Sequence, residues 1–248
     1  MGLPELPVGG FVAYQNHQII DLTQELYEGQ PVFVGHPETR IWAAMTHEVS
    51  ARLGRFVGEM TYCANILQLC DHGPTHVDSI SHIDPRPGAP TIDRIPLEWF
   101  YTPAICLDLS DVPPRSSIPK ERVVGELRRT GLQIPRGGTV LFTTGHYLRT
   151  YPRKEYTTEY AGLSREAAEF IYVEGGAMNI GADAPSIDNA ADPSFPCHVL
   201  CRHHQRINTE NLCNLEAVAG KQFLFIGLPL KIRGGTGSPI RAVAILNA

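Results

Sequence analysis

The chain has 248 residues, of which 43% are apolar and 19% charged, and its formal net charge is −5. That balance supports a sizeable buried core rather than disorder, and the absence of a Lys/Arg run argues against a nucleic-acid partner or an anionic membrane surface. No apolar run is long enough to cross a bilayer. Residues 1–10 lack a basic region followed by an apolar core, so no secretory leader is expected. Six cysteines in a chain of this size then read as reduced thiols, and the cytoplasm is the expected compartment.

Residues 18–23 read as a short strand running into a turn. Residues 29–37, bounded by Gly and Pro, read as a loop that carries Phe33 and His36. Strands are predicted over residues 41–50 and 61–70, with a break at Arg52-Leu53-Gly54. The second strand delivers the chain into His72-Gly73-Pro74-Thr75-His76-Val77-Asp78-Ser79-Ile80-Ser81-His82.

That stretch holds three imidazoles and one carboxylate, all at even positions. Alternate side chains of an extended chain share a face. His76 and Asp78 therefore point the same way, and His72 and His82 join them if the chain stays extended. Gly73-Pro74 argues against a helix. Imidazole nitrogen and carboxylate oxygen form a ligand set for zinc, manganese or iron, and one titratable histidine is left over.

Downstream, three prolines between Asp84 and Pro90 impose a loop. Residues 103–109 and 139–143 read as buried strands, and residues 117–131 between them as a helix. Ser117 is its cap, Pro119 lies near the first turn and Gly131 ends it, with Val123, Val124 and Leu127 as the apolar face. Strand, helix and strand in succession imply a parallel or mixed α/β sheet. His146 follows the second strand and is a candidate substrate contact. Residues 149–159 are polar and tyrosine-rich and read as a mobile or pocket-edge loop. Ser164 caps a further helix that Gly175-Gly176 stop. Residues 178–183 read as a strand, and Asp183 and Asp188 fit either turn formation, the commoner role, or acceptance from ligand histidines. Cys197 and Cys201 read as core residues of a helix bearing His198. The Gly-rich run at 234–237 reads as a tight turn between strands 222–227 and 240–246. It is not a phosphate loop, since no Gly-Lys-Ser/Thr helix start follows.

The stretch from His72 to His82 resembles the signature of the metal-dependent cyclase family, His-x-Gly-Thr-His-x-Asp-x-Pro-x-His. That family includes kynurenine formamidases, isatin hydrolases and some polyketide cyclases. His72, Thr75, His76, Asp78 and His82 match in register; Pro74 and Ile80 replace the family's Gly and Pro. His198 and Glu210, twelve residues apart, match a second family pair, and the likeness extends over nearly the whole chain. The resemblance implies one α/β domain over residues 1–248, with a mixed sheet of the swivelling β/β/α kind. It implies His72, His76, Asp78, His198 and Glu210 as ligands of one or two divalent ions, zinc or manganese, and a homodimer or homotetramer. Phe33 and His36 become candidate pocket walls.

A cation held there can lower the pKa of bound water from about 15.7 to about 7. His82, outside the minimal ligand set, is the natural general base. The expected activity is hydrolysis of a small aromatic or cyclic amide or lactone. Cyclisation of a polyketide-type substrate and a non-catalytic metal-binding role are the alternatives.

Overall fold

In a computed structural model, residues 17–247 form a nine-stranded mixed sheet with helices on one face and loops and short turns on the other. Residues 1–10, read above for a leader, lie outside the described residues.

In chain order the elements are β1 (His17–Asp21), β2 (Arg40–Met45), α1 (His47–Arg52), β3 (Ala64–Gln68), β4 (His76–Asp78), β5 (Tyr101–Asp108), β6 (Ser117–Ile118), α2 (Lys120–Thr130), β7 (Thr139–Thr143), α3 (His146–Thr150), β8 (Gly162–Leu163), α4 (Arg165–Glu169), β9 (Asn179–Ala182), α5 (Pro196–His204), β10 (Ile207–Glu210), β11 (Gln222–Ile226), β12 (Gly237–Pro239) and β13 (Val243–Asn247). The large sheet runs β1-β13-β11-β5-β7-β9-β10-β4-β12. Strands β5, β7, β9 and β10 are parallel, and the outer pairs are antiparallel.

The central strands are apolar on both faces because both faces are covered. Ile105, Leu107, Val140, Phe142, Ile180 and Ala182 pack against residues of α2, α4 and α5. Ala104, Cys106 and Leu141, at the alternate positions, join Leu22, Val77, Ile80, Leu212 and Phe225 in a second cluster. Val77 thus anchors β4 in the core while its neighbours His76 and Asp78 face the other way.

Several local expectations are corrected. The strand expected over 41–50 stops at Met45, because Thr46 accepts from the Val49 N–H and starts α1. The strand expected over 61–70 is confined to Ala64–Gln68 and pairs only with β2, forming an exposed two-stranded arm. Helix α2 begins at Lys120; Ser117 pairs with Gly162 instead of capping it. Its inner face carries Glu126 as well as Val123, made tolerable by bonds from Arg122 and Arg129. Residues 149–159 are no open loop. Tyr156 is buried there, and its hydroxyl bonds Gln24 and Asn211. The Gly-rich run is more than a turn, since Gly237–Pro239 forms β12 and pairs with β4.

Candidate active site

The register of three strands assembles the site. In the β10–β4 ladder Glu210 stands opposite His76, and in the β12–β4 ladder Gly237 stands opposite Asp78. A period of two puts His76 and Asp78 on one face, as the sequence pattern required. Beyond Asp78 the chain leaves extended geometry, and His82 closes a short 3₁₀ turn from Ile80 to His82. That turn brings its ring back over His72, with centroids 4.0 Å apart. Despite Pro74, His72 Nδ1 reaches to 2.6 Å from Asp78 Oδ1.

His198 arrives from the first turn of α5. Asp188 accepts from the Cys197 and His198 backbone N–H groups at 2.7 and 3.1 Å, and from His198 Nδ1 at 2.5 Å. One carboxylate thus satisfies a helix end and aims an imidazole. Asp183 takes neither expected role: it accepts from Thr143 and Thr144 at the end of the neighbouring strand β7.

The outer partners fix which ring nitrogens face inward. His76 Nδ1 donates to the Pro74 carbonyl at 2.9 Å, which leaves Nε2 toward Asp78 Oδ1 at 3.3 Å and Glu210 Oε2 at 3.5 Å. His198 donates to Asp188 and turns Nε2 toward Asp78 Oδ2 and Glu210 Oε1, both at 3.3 Å. Thr236 Oγ1 donates to Asp71 Oδ2 at 2.9 Å, so it accepts from His72 Nε2, also at 2.9 Å. Nδ1 of His72 is then the nitrogen facing Asp78.

Neutral rings in these tautomers direct lone pairs at two buried carboxylates, an arrangement that needs positive charge. At His76 burial disfavours the charged ring, but Asp78 and Glu210 outweigh burial and raise its pKa. At His198, burial is likewise overcome by Asp188, Asp78 and Glu210. Burial works against ionised Asp78 too, yet His82, His198, His72 and His76 hold its pKa well below the carboxylate range. Ligand atoms of His76, Asp78 and Glu210, and of His72, Asp78 and His82, lie within 4.8 Å of one another. In the first half of the site His72 Nδ1 and His76 Nε2 both face Asp78 Oδ1, a donor set of the kind divalent cations take.

A cavity of about 380 Å³ opens onto this cluster. Phe33 and His36 line it, with Ile83, Pro185, Phe195, Val199 and Asn211. His146 does not line it. It is buried beneath Tyr156, bonded through Nε2 to the Tyr156 carbonyl at 2.8 Å and stacked on that ring. His203 and His204 are exposed on α5. Phe195 could not be found from sequence, because its place in the wall depends on a left-handed backbone at φ 46°. Asn208 could have been: it lies two residues before Glu210 on the same strand face.

A family model described as "Putative cyclase" matches residues 20–189. The chain belongs to this cyclase family. Among curated relatives of this cyclase-family protein, a kynurenine formamidase of Salinibacter ruber is 29% identical over 226 residues, spanning 91% of this chain and 96% of that protein. Isatin hydrolase A from Labrenzia aggregata superposes with a TM-score of 0.83 at 24% identity, covering 94% of each chain. Isatin hydrolase A from Ralstonia solanacearum gives 0.79 at 25% identity, over 93% of this chain and 92% of that one. The cyclase-family fold expected from the sequence is therefore the fold found.

Proposed function

We propose that the protein is a metal-dependent hydrolase that adds water to the carbonyl of a small aromatic or cyclic amide, or of a lactone. The observation that carries this reading is the contrast among four clustered histidines. The side chains of His72, His76 and His198 are 6%, 3% and 7% exposed, whereas that of His82 is 32% exposed and lines the cavity. Three rings are tied on both sides, and the fourth is left free to exchange a proton. The formamidase and isatin hydrolase relatives support the same substrate class.

His72, His76 and Asp78, with Glu210 beside them, would hold the cation, and the donor set suits zinc or manganese. A divalent ion held there polarises a carbonyl and eases deprotonation of water. The chain supplies the rest. Phe33 and Phe195 offer ring faces and edges to an aromatic substrate, while Ile83, Pro185 and Val199 exclude bulk water. Burial lowers the His82 pKa from 6.5, with His72 and His198 adding to the effect against the pull of Asp78, so the ring is neutral near pH 7. Its Nε2, 3.9 Å from Asp78 Oδ2, takes the proton from water as the oxygen bonds to the carbonyl carbon. The C–N or C–O bond then breaks, and His82 returns that proton to the leaving nitrogen or oxygen. The products are a carboxylic acid and an amine or alcohol.

Incubation with N-formylkynurenine, isatin and simple lactones, in the presence of zinc or manganese, tests this. Turnover of at least one is expected, and His82→Ala should retain the metal while losing about 10²–10⁴-fold in kcat. Full activity in His82→Ala would remove His82 from the mechanism.

We also infer a homodimer or homotetramer. Trp42, Val49, Phe56, Val57, Met60, Ile66 and Leu67 stand exposed on the arm formed by β2, α1 and β3 and its connecting loop, an apolar surface of the kind subunits cover. A monomer in light scattering would refute it. A cytoplasmic location is supported by six unpaired cysteines. No helix among the described residues is long and apolar enough to cross a membrane.

A further inference from the structure

Asn208 has no part in the chemistry above, yet its side chain lies at the centre of the cluster. On β10 it shares a face with Glu210, while Thr209 between them turns to Asn179. Nδ2 donates to Asp78 Oδ2 and to Glu210 Oε1, both at 2.9 Å, and lies 3.4 Å from His198 Nε2. The amide orientation is set by its surroundings. Turning the amide over would press its oxygen against two carboxylate oxygens, Asp78 Oδ2 and Glu210 Oε1.

Asp78 Oδ2, Glu210 Oε1 and His198 Nε2 are the atoms a second cation would need, with Asp78 as the bridge. An ion bonded to them would meet the hydrogens of Nδ2 rather than a lone pair. The two halves of the site therefore differ. On the His72 side, lone pairs and a carboxylate converge with no amide donor between them. On the His198 side, an NH₂ group already bonds to both carboxylates.

We propose that the centre takes one divalent ion, on the His72, His76 and Asp78 side, and that the Asn208 amide stands in place of a second. This rests on reading the first half as a metal site. The consequence is that His198, held by Asp188, faces Asp78 and Glu210 as a fixed neighbour instead of a ligand.

The test is metal content. The full chain is saturated with zinc, and separately with manganese, freed of loose ion by gel filtration, and assayed by elemental analysis against protein concentration. One ion per chain is expected for the wild type. Asn208→Asp, which replaces the donor with an anionic acceptor of the same shape, should raise the count to two. Two ions in the wild type would overturn the proposal, and would mean that the amide turns over to present Oδ1. One ion in both proteins would overturn the role of Asn208. No ion in either would overturn the metal-site reading beneath it, a separate failure visible as such. Asn208→Ser, which removes the NH₂ group with less added charge, keeps the comparison available if the aspartate variant does not fold.

Discussion

Thr236 and His72 are 164 positions apart in sequence, yet Thr236 Oγ1 lies 2.9 Å from His72 Nε2. The contact is held from both sides. Asp71 accepts from the Thr236 backbone N–H and hydroxyl, and Ser79 donates to the Thr236 carbonyl through its N–H and its hydroxyl. The threonine is thus locked in place before it fixes the imidazole.

Replacing Thr236 by valine keeps the shape and removes the acceptor. His72 is then free to adopt the other tautomer, which turns a hydrogen toward the cation. Metal affinity should fall by about 10–100-fold, with little change in the urea midpoint. Titration against a competing chelator measures this, and an unchanged affinity would show that the hydroxyl does not control the ring.

Gly237 gives a steric counterpart. A Cβ at this position would lie 2.7 Å from His72 Cε1 and 2.9 Å from its Nδ1. Gly237→Ala should push the ring off Asp78 and weaken metal binding more than Thr236→Val does, because it displaces the ligand as well as releasing it. Equal or tighter binding in the alanine variant would contradict the packing described.

Glu126 lies far from the site and predicts an acid response. It is 1% exposed, and Arg129 hydrogen bonds lower its pKa from 4.5, with burial opposing and Arg122 assisting. A carboxyl whose folded-state pKa is depressed stabilises the fold fully above its unfolded value. That contribution fades as pH falls through the lower, folded one. Wild-type stability should therefore drop on acidification below about pH 4.5, and Glu126→Gln should flatten that part of the curve. Urea midpoints measured stepwise from about pH 6 to about pH 3 decide it; parallel curves for the two proteins would exclude the effect.

The geometry of the His72–His82 stretch is legible because it follows two short-range rules. Alternation placed His76 and Asp78 on one face, and Gly73-Pro74 ruled out a helix. What lay beyond reading was the partner strand of each residue. That Glu210 meets His76 depends on ladder register between segments 134 residues apart in number, which no local pattern encodes. The Gly-rich run reads locally as a turn for the same reason, since its three-residue pairing with β4 is a non-local property. His146 misled because a histidine after a strand looks like a site residue until Tyr156 is seen stacked upon it. Asp188 shows the reverse case, its turn-like setting concealing a carboxylate that orients His198.

Strand β4 has only three residues, and its two neighbours in the sheet come from Ile207–Glu210 and Gly237–Pro239. During synthesis His72, His76 and His82 therefore emerge long before anything exists to pair with them. Such non-local closure is slow to form. A nascent chain therefore carries these histidines without their strand partners until the last of the three segments has been made, so the cluster is assembled only on completion of the sheet edge.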